Sequence, residues 1–417
     1  MKKNQGAAFI FFASPEYLRN PDVHFPFRQE SNFFYLSGFE EAESAMVLTA
    51  AGKMILFVRK RDPEKEMWEG ERYGTDGALK VFGADEAYTI EEFDAKIPDL
   101  LKDSEKVFYR LGMDPGSDRH VLSGLEGYRK AAGRSGRALP ALGDPNEVMG
   151  EMRLFKTADE AAILRKASQI SAAAHVQAMK ETRPGMNEFE IEAMIDYSLR
   201  KNGCQRVGYG SIVAGGKNAA CLHYRANNEV LRDGDLLLID AGGERDYYTA
   251  DITRTFPIGK TFSSAQAKVY DLVLKSQLEG IALSKPGSTM PAIHKRVCEV
   301  LIDGFLSLGL MKGNPEELLK SGAFRRLYPH GTGHWLGMDV HDVGLYLKNG
   351  EPRPIEAGMC FTVEPGFYVQ PSDHETPSEF HGIGIRIEDD LLITATGCEV
   401  LTKDVPKTRA EIEKLRA

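Results

Sequence analysis

The sequence lacks a C-x-x-C pair, an apolar run long enough to cross a membrane, and any long stretch of one charge sign. Its five cysteines are scattered over 417 residues, and an odd, unpaired count is typical of reduced thiols in a cytoplasmic protein. The 52 basic and 61 acidic residues are spread along the chain with a net charge of −9, which disfavours a nucleic-acid surface. We therefore predict a cytoplasmic protein that binds neither membrane nor nucleic acid.

The start of the chain offers one competing interpretation. Residues 1–3, Met-Lys-Lys, precede an apolar run at residues 7–13, and this arrangement resembles a minimal signal peptide. The run is at the short end of that class, and it also suits a first buried strand. We adopt the strand as the prediction.

The order of the predicted elements divides the chain into two domains. Residues 133–145 are polar and contain Gly and Pro, and they interrupt the hydrophobic pattern. We place a boundary near residue 150, with predicted domains at 1–150 and 151–417. In the first domain, strands are predicted at residues 8–13, 44–49, 54–59 and 106–111, and helices at 90–101 and 118–131.

The second domain begins with helical spacing. Thr157 to Glu160 is a capping box that begins an alanine-rich helix ending near residue 182. Two long helices before each later strand group suit an internally duplicated α+β domain, although no repeat is visible at residue level. The other predicted helices are at residues 188–201, 263–283 and 290–308.

Carboxylates occupy strand-like runs where the pattern predicts burial. Asp240 ends the apolar run at residues 236–239, and Asp251 lies in the run at 247–256. With a turn at residues 241–243, these runs predict a hairpin. Burying a carboxylate without a partner costs several kcal/mol, so either a bound cation or a cationic group of the protein must meet these groups.

Two later runs carry the same signal. Glu364 lies in the run at residues 360–368, and Glu388 lies in the run at 382–393. Gly384, Arg386 and Glu388 fall on one face of the last strand by its period of two. Arg386 and Glu388 are therefore predicted to point the same way, and Gly384 leaves room on that face for a bulky group.

Three histidines lie within twelve residues, at His330, His334 and His341. Gly331 and Gly333 disfavour a helix through the first two, and the glutamate of a zinc-protease H-E-x-x-H is absent, so that motif is disfavoured. Any one of these histidines, taken alone, is more often structural than a ligand. Together with four buried carboxylates, they predict a metal site.

The composition of this set predicts the kind and number of ions. Four carboxylates and an imidazole favour Mn²⁺ or Mg²⁺ over metals that select thiolates. Two like charges about 4 Å apart repel by roughly 4 kcal/mol at an effective dielectric near 20. One divalent ion leaves two negative charges, whereas two ions neutralise the four carboxylates. A pair of bridged ions activates water for hydrolysis, which is the predicted chemistry.

These residues resemble the ligand set of the pita-bread metallopeptidases. The resemblance covers most of the chain and departs at none of the five ligand positions, which are Asp240, Asp251, His334, Glu364 and Glu388. Residues 339–344, 363–366 and 382–390 resemble the proline-directed branch, Xaa-Pro aminopeptidase (aminopeptidase P) and prolidase. Residues 26–39 are similar to the amino-terminal domain of aminopeptidase P.

The resemblance implies an α+β fold, with a small creatinase-like α/β domain followed by a pita-bread catalytic domain. It implies two divalent ions, Mn²⁺ first and Co²⁺ or Zn²⁺ as alternatives, in a homodimer or homotetramer. Asp251 and Glu388 would bridge the ions, with His334 and Glu364 on one ion and Asp240 on the other. A hydroxide bridging the ions would then attack the scissile carbonyl, which belongs to the bond between an amino-terminal residue and proline.

The resemblance also implies roles for residues around the metals. His223 and His330 match histidines of the substrate pocket, and His341 matches one that donates to the carbonyl or the tetrahedral intermediate. Arg386 would hold a ligand carboxylate, first of all that of Asp240. Tyr368 is assigned either to this network or to the core. Asp22 and Trp68 match positions outside the catalytic domain, and no role is assigned to them.

The sequence leaves three alternatives to this function. Relatives without metal, either creatinase or pure binding proteins, are disfavoured because the ligand set is complete. Methionine aminopeptidases resemble only the carboxy-terminal part of the chain. Prolidase, a dipeptidase, needs a fixed cation for the carboxylate that follows proline, and Arg353 is either that cation or a solvated loop charge. Since residues 26–39 resemble aminopeptidase P more closely, we predict cleavage of peptides longer than dipeptides.

Overall fold

The structure is a computed structural model that describes residues 6–133 and 138–417. The chain divides into two units, Met1–Gly150 and Glu151–Ala417. The Met-Lys-Lys start of the signal-peptide-like segment and part of the predicted break at 133–145 lie outside the described residues.

A six-stranded mixed sheet with the order β6-β5-β4-β1-β7-β8 organises the first unit. Its strands are β1 (Ala7–Phe12), β4 (Ala45–Leu48), β5 (Met54–Val58), β6 (Glu86–Thr89), β7 (Lys106–Phe108) and β8 (Ala141–Gly143), and a separate hairpin contains β2 (Leu18–Asn20) and β3 (Val23–His24). The helices are α1 (Ser31–Ser37), α2 (Pro63–Glu69), α3 (Gly74–Lys80), α4 (Phe93–Leu100), α5 (Pro115–Ala132) and α6 (Asn146–Leu154), the last of which contains the boundary between the units.

Both faces of this sheet are buried, as the side-chain alternation of β1 shows. Ala8 and Ile10 belong to one apolar cluster, and Phe9 and Phe11 belong to another. The four predicted strands and both predicted helices are confirmed to within a few residues. Helix α5 begins earlier than predicted, at Pro115, because the side chain of Asp114 accepts a hydrogen bond from the Ser117 amide and caps it.

The second unit contains helices and short antiparallel sheets. Its helices are α7 (Ala158–Glu181), α8 (Glu188–Lys201), α9 (Ser264–Leu283), α10 (Met290–Ser307), α11 (Pro315–Ser321) and α12 (Arg409–Arg416). Its strands are β9 (Arg206–Val207), β10 (Ile212–Gly215), β11 (Leu236–Asp240), β12 (Gly243–Arg245), β13 (Tyr248–Thr249), β14 (Thr253–Pro257), β15 (Leu347–Lys348), β16 (Glu351–Pro352), β17 (Cys360–Val363), β18 (Gly366–Tyr368), β19 (Gly384–Arg386), β20 (Asp389–Ile393) and β21 (Cys398–Val400).

The predicted helices of this unit are confirmed, with their capping signals. Thr157 accepts from the Glu160 amide, and the Glu160 side chain accepts from the Thr157 amide in return. Helices α7 and α8 precede the sheet β10-β11-β14, and α9 and α10 precede the sheet β17-β20-β21, so the predicted duplication of elements is present. Among the described residues, no helix combines the length and apolar composition needed to cross a membrane.

The predicted hairpin after residue 236 is wrong in its connection. Strand β11 pairs with β14, so that Asp240 lies opposite Thr253, and a second hairpin, β12–β13, lies between them. The inner turn is made by Asp246 and Tyr247, whose φ angles are 47° and 69°. Asp251 therefore lies in the link between β13 and β14 instead of inside a strand.

Candidate metal centre

The five predicted metal ligands line one cavity of about 380 Å³ in the second unit, together with His223, His330, His341 and Arg386. Each of the four carboxylates follows or ends a short strand. Asp240 is the last residue of β11, Glu364 follows β17, and Glu388 lies between β19 and β20. Strand ends from the β10-β11-β14 and β17-β20-β21 sheets thus direct acidic side chains towards a common space.

Asp251, His334 and Glu388 form the centre of this cluster. Each offers one ligand atom, and these atoms lie within 4.8 Å of one another. His334 Nε2 is 3.4 Å from Asp251 Oδ2 and 3.6 Å from Glu364 Oε1. The three residues, with Glu364 beside them, could therefore hold a metal ion.

Asp240 is held from two sides. Its Oδ2 accepts from Arg386 Nη2 at 2.5 Å, as predicted for Arg386, and its Oδ1 lies 2.6 Å from the hydroxyl of Tyr209. The same hydroxyl is 2.5 Å from Asp251 Oδ1. Because a hydroxyl has only one proton, Tyr209 can donate a hydrogen bond to only one of these two carboxylates at a time.

The pKa values of the clustered side chains indicate that the cluster lacks positive charge. Burial raises the pKa of Glu388 well above its usual range, and the negative charges of Asp251 and Glu364 raise it further. Burial likewise raises the pKa of Glu364 to about 7 and raises that of Asp251. Burial lowers the pKa of His334, but its hydrogen bond to Asp251 and the nearby carboxylates more than reverse this, to about 9.

A divalent cation would supply the missing charge, and the donor set suits one. The cluster offers carboxylate oxygens and one imidazole, which is the chemistry that Mn²⁺, Co²⁺ and Zn²⁺ accept. The residues present therefore fit the metal site predicted from the sequence.

The segment that contains His334 is extended, as its glycines predict. His334 exchanges backbone contacts with β17: the Thr362 amide donates to the His334 carbonyl at 3.0 Å, and the Glu364 amide donates to the Thr332 carbonyl at 2.8 Å. A Cβ on Gly333 would lie 1.9 Å from the Thr362 carbonyl oxygen, so this close approach requires glycine. The pairing brings His334 and Glu364 to the same end of β17.

His330 is a neutral pocket histidine linked to Arg386 through Tyr368. Its Nδ1 lies 2.8 Å from the Gly331 carbonyl oxygen, which can only accept, so Nδ1 carries the proton and Nε2 accepts from the Tyr368 hydroxyl at 2.8 Å. Tyr368 in turn accepts from Arg386 Nη1 at 3.1 Å. Burial, assisted by the charge of Arg386, lowers the pKa of His330 to about 3.

Thr253 connects Arg386 to Glu388. Its hydroxyl accepts from Arg386 Nε at 3.1 Å and donates to Glu388 Oε2 at 2.6 Å, so the two side chains point the same way, as predicted. The bulky group opposite Gly384 is the chain itself, because a Cβ there would lie 2.1 Å from the Ala219 carbonyl group.

The other histidines of the cavity lie beside the cluster. The ring of His341 is 4.2 Å from that of His334 and meets it edge-on. Burial lowers the pKa of His341, and the neighbouring His334 lowers it further. His223 lines the same cavity from the segment after β10 and is exposed.

Arg353 is not in the cavity, and both predictions for it are wrong. It is 3% exposed, its two terminal nitrogens bind the carboxylate of Glu151, and Glu356 lies 3.8 Å away. A buried, paired arginine is neither a solvated charge nor a free cation for substrate.

Asp22 and Trp68 lie in the first unit, where Asp22 has a φ of 65° and Trp68 is 87% exposed.

Tyr209 and Thr253 are the site residues that the sequence analysis missed. Thr253 carries no distinguishing signal in a β-branched strand. Tyr209 does, because it lies between Gly208 and Gly210, and glycines on both sides of an aromatic residue indicate close packing. A Cβ on Gly208 would lie 1.8 Å from Thr249 Oγ1.

Tyr209→Phe is expected to weaken metal binding by roughly 10- to 100-fold, the scale found when a partner of a metal ligand is removed. The hydroxyl that contacts Asp240 and Asp251 is lost, while the aromatic ring and its packing remain. Metal dissociation constants of the variant and the wild type, measured by calorimetry, test this. An unchanged constant would show that Tyr209 does not support the ligands.

Two family models match this chain. Residues 162–395 match "Metallopeptidase family M24", and residues 1–109 match "Aminopeptidase P, N-terminal domain". The chain belongs to metallopeptidase family M24. All five predicted ligand positions fall inside the matched M24 segment.

Relatives of this M24 peptidase match it over nearly its whole length. Xaa-Pro aminopeptidase of Escherichia coli is 42% identical over 414 residues, which cover 98% of this chain and 93% of that one. The solved structure of Pseudomonas aeruginosa aminopeptidase PepP has a TM-score of 0.94 and 44% identity, covering 99% of this chain and 94% of that one. The zinc-substituted E. coli aminopeptidase P in complex with product has a TM-score of 0.94 and 41% identity, with the same coverage.

These comparisons confirm three predictions for the M24 peptidase. The family, the α+β fold with a separate amino-terminal domain, and the enzyme class of a metalloaminopeptidase are all as expected from the sequence.

Proposed function

We propose that this peptidase removes the amino-terminal residue from peptides with proline in second position, using two divalent metal ions. The observation that carries the proposal is the cluster of four carboxylates and one imidazole in a single cavity. It is supported by near full-length similarity to an Xaa-Pro aminopeptidase. Mn²⁺ is the proposed ion, with Co²⁺ or Zn²⁺ as substitutes.

Asp240, Asp251, His334, Glu364 and Glu388 would hold the ions, and Asp251 and Glu388 would be shared between them. Divalent ions held by these residues would lower the pKa of water and polarise a carbonyl oxygen. Two ions are favoured over one because four carboxylates, three of which have raised pKa values, need more than two positive charges for neutrality.

The remaining residues are proposed to orient the ligands and the substrate. Arg386 fixes Asp240 by a charge-assisted hydrogen bond, and Tyr368 joins Arg386 to His330. His341 and His223 face the cavity, and no carboxylate among the described residues is hydrogen-bonded to either of them. We assign them to the substrate, with His341 donating to the oxygen of the scissile carbonyl. Burial and the neighbouring His334 lower the pKa of His341, which favours its neutral form, in which one ring nitrogen still donates.

Cleavage of Xaa-Pro-Yaa tripeptides by metal-loaded enzyme tests the proposed function. We expect hydrolysis at the Xaa-Pro bond and a kcat/KM at least tenfold higher than for the dipeptide Xaa-Pro, about 1.4 kcal/mol in transition-state binding. The physical reason is that Arg353, the candidate partner for a dipeptide carboxylate, is paired with Glu151.

The matched control is a tripeptide with alanine in place of proline, which separates proline specificity from general aminopeptidase activity. A tenfold preference for the dipeptide would make this enzyme a prolidase. Equal rates on the proline and alanine tripeptides would contradict the proposed specificity.

Three further properties are proposed with the activity. The five cysteines are free, which supports a reduced, cytoplasmic location. The units Met1–Gly150 and Glu151–Ala417 support an amino-terminal domain of residues 1–150 and a catalytic domain of 151–417.

The adjacent exposed side chains of Met67 and Trp68 support self-association to a homodimer or homotetramer. Sedimentation equilibrium would test this, and a monomer at micromolar concentration would contradict it.

A further inference from the structure

We propose that Arg225 binds the free carboxylate of short peptide substrates, so that the enzyme prefers tripeptides of the form Xaa-Pro-Yaa with an unblocked carboxyl end. This inference rests on the proposed function and adds a cation that recognises the far end of the substrate.

The cavity wall contains two arginines in different states. Arg386 is buried and bound to Asp240 and Tyr368, so its charge is committed to the ligand network. Arg225 lines the same cavity and is exposed. Within the part of the chain that the structure describes, no carboxylate lies within ion-pair distance of Arg225, so its guanidinium is open to a ligand in the cavity.

The position of the guanidinium is set by a glycine. A Cβ on Gly210 would lie 2.5 Å from Arg225 Nη1, so the guanidinium rests directly against the Gly210 backbone. Gly210 follows Tyr209, whose hydroxyl contacts Asp240 and Asp251. The Arg225 guanidinium therefore contacts the residue that follows Tyr209, whose side chain hydrogen-bonds to the carboxylate cluster.

The cavity is thus acidic at its buried side and basic at an exposed wall. Asp240, Asp251 and Glu388 are all buried, whereas Arg225 and His223 are exposed. A substrate cleaved after its first residue places its amino end at the carboxylate cluster, and its remaining residues must extend away from it. A planar guanidinium on the exposed wall suits a carboxylate there, because the two groups form paired hydrogen bonds.

This geometry distinguishes a tripeptide from a dipeptide. In Xaa-Pro the carboxylate directly follows the proline and lies beside the buried ligands, whereas in Xaa-Pro-Yaa it lies one residue, about 3.8 Å of chain, farther out. The exposed Arg225 suits the outer carboxylate position, which is that of the tripeptide.

The test compares Xaa-Pro-Yaa with its carboxy-terminal amide in metal-loaded enzyme. We expect the wild type to prefer the free acid by at least about tenfold in kcat/KM, chiefly through KM, and this preference to decrease with added salt. Arg225→Met should reduce kcat/KM for the acid by about the same factor and leave the amide within about twofold. Arg225→Lys should keep part of the preference, since it keeps the charge and loses the planar fork.

Two further variants separate recognition from general effects. Gly210→Ala should displace the guanidinium while keeping its charge, and should lower the acid preference with metal content unchanged. Arg325→Met removes an exposed arginine that is outside the cavity lining, and should leave the preference intact.

An acid-to-amide ratio near one in the wild type, or the same ratio in wild type and Arg225→Met, would overturn the inference. If the wild type cleaves neither peptide, the proposed function fails on its own. Calorimetric binding of Pro-Yaa and its amide then still tests Arg225: tighter binding of the acid that is lost in Arg225→Met supports the inference, and equal binding overturns it.

Discussion

Glu388→Gln is expected to lower peptide hydrolysis by at least about 10³-fold and to leave the enzyme with less than its full complement of metal. Glu388 is 2% exposed, and its ligand oxygen lies within 4.8 Å of the ligand atoms of Asp251 and His334. The amide keeps the shape of the side chain but removes one negative charge and one metal-binding oxygen. Removing a group that binds both ions should lower the activity more than removing one hydrogen-bond donor to the substrate. Removal of such a donor lowers kcat by about 10²- to 10³-fold.

His341→Ala provides the contrast for this experiment. If His341 donates to the substrate carbonyl, its loss should lower kcat by about 10²-fold while metal content, measured by mass spectrometry of the metals, stays at the wild-type value. Loss of metal from the His341→Ala variant would show that His341 is a metal ligand instead. A Glu388→Gln enzyme with full activity and full metal content would contradict the ligand assignment.

Asp389→Ala is expected to destabilise the catalytic unit by about 3–5 kcal/mol, the cost of breaking a buried ion pair. Asp389 is adjacent to Glu388 but points into the interior, where it accepts from Arg254 Nη2 at 2.7 Å and from Lys407 Nζ at 2.6 Å. Thr402 and Gln277 complete its hydrogen bonds. Without Asp389, the fully buried Arg254 loses its only carboxylate partner among the described residues.

Urea unfolding, followed through the transition of the catalytic unit, measures this loss. The matched control is Asp271→Ala, which breaks an equally short but exposed pair with Arg409 and should cost at most about 1 kcal/mol. Similar midpoint shifts for the two variants would contradict the argument from burial.

The same pair predicts a pH dependence of stability. Burial raises the pKa of Asp389, but Arg254 and Lys407 more than reverse this and lower it to about 2, below its ordinary value of 3.8. Since the unfolded state binds the proton more tightly, the stabilisation is present above about pH 4 and is lost as pH falls towards 2. Asp389→Ala should remove this part of the acid sensitivity.

The sequence was most informative where residues contradict their surroundings. Asp240, Glu364 and Glu388 are acidic side chains in or beside apolar strands, and such positions require a cation whatever the detailed fold. Helix starts were also predictable, because Thr157 and Glu160 satisfy each other's backbone amides at the first turn of α7. These signals are local in the chain.

Other features could not be predicted because they depend on contacts distant in sequence. Arg353 pairs with Glu151, 202 residues away, and no local pattern separates it from a free loop arginine. The turn of the β12–β13 hairpin uses positive φ at Asp246 and Tyr247, although neither is glycine. Tyr209 joins Asp240 and Asp251 only after the chain has folded.

The central claim is that two divalent ions, held by the buried carboxylates, are required for hydrolysis. The direct measurement is to strip the enzyme with a chelator, add Mn²⁺ in steps, and record metal bound and Xaa-Pro-Yaa hydrolysis at each step. We expect no hydrolysis in stripped enzyme, and recovery that is complete at two ions per chain. Fully active enzyme with no bound ion, or full recovery at one ion per chain, would contradict the claim.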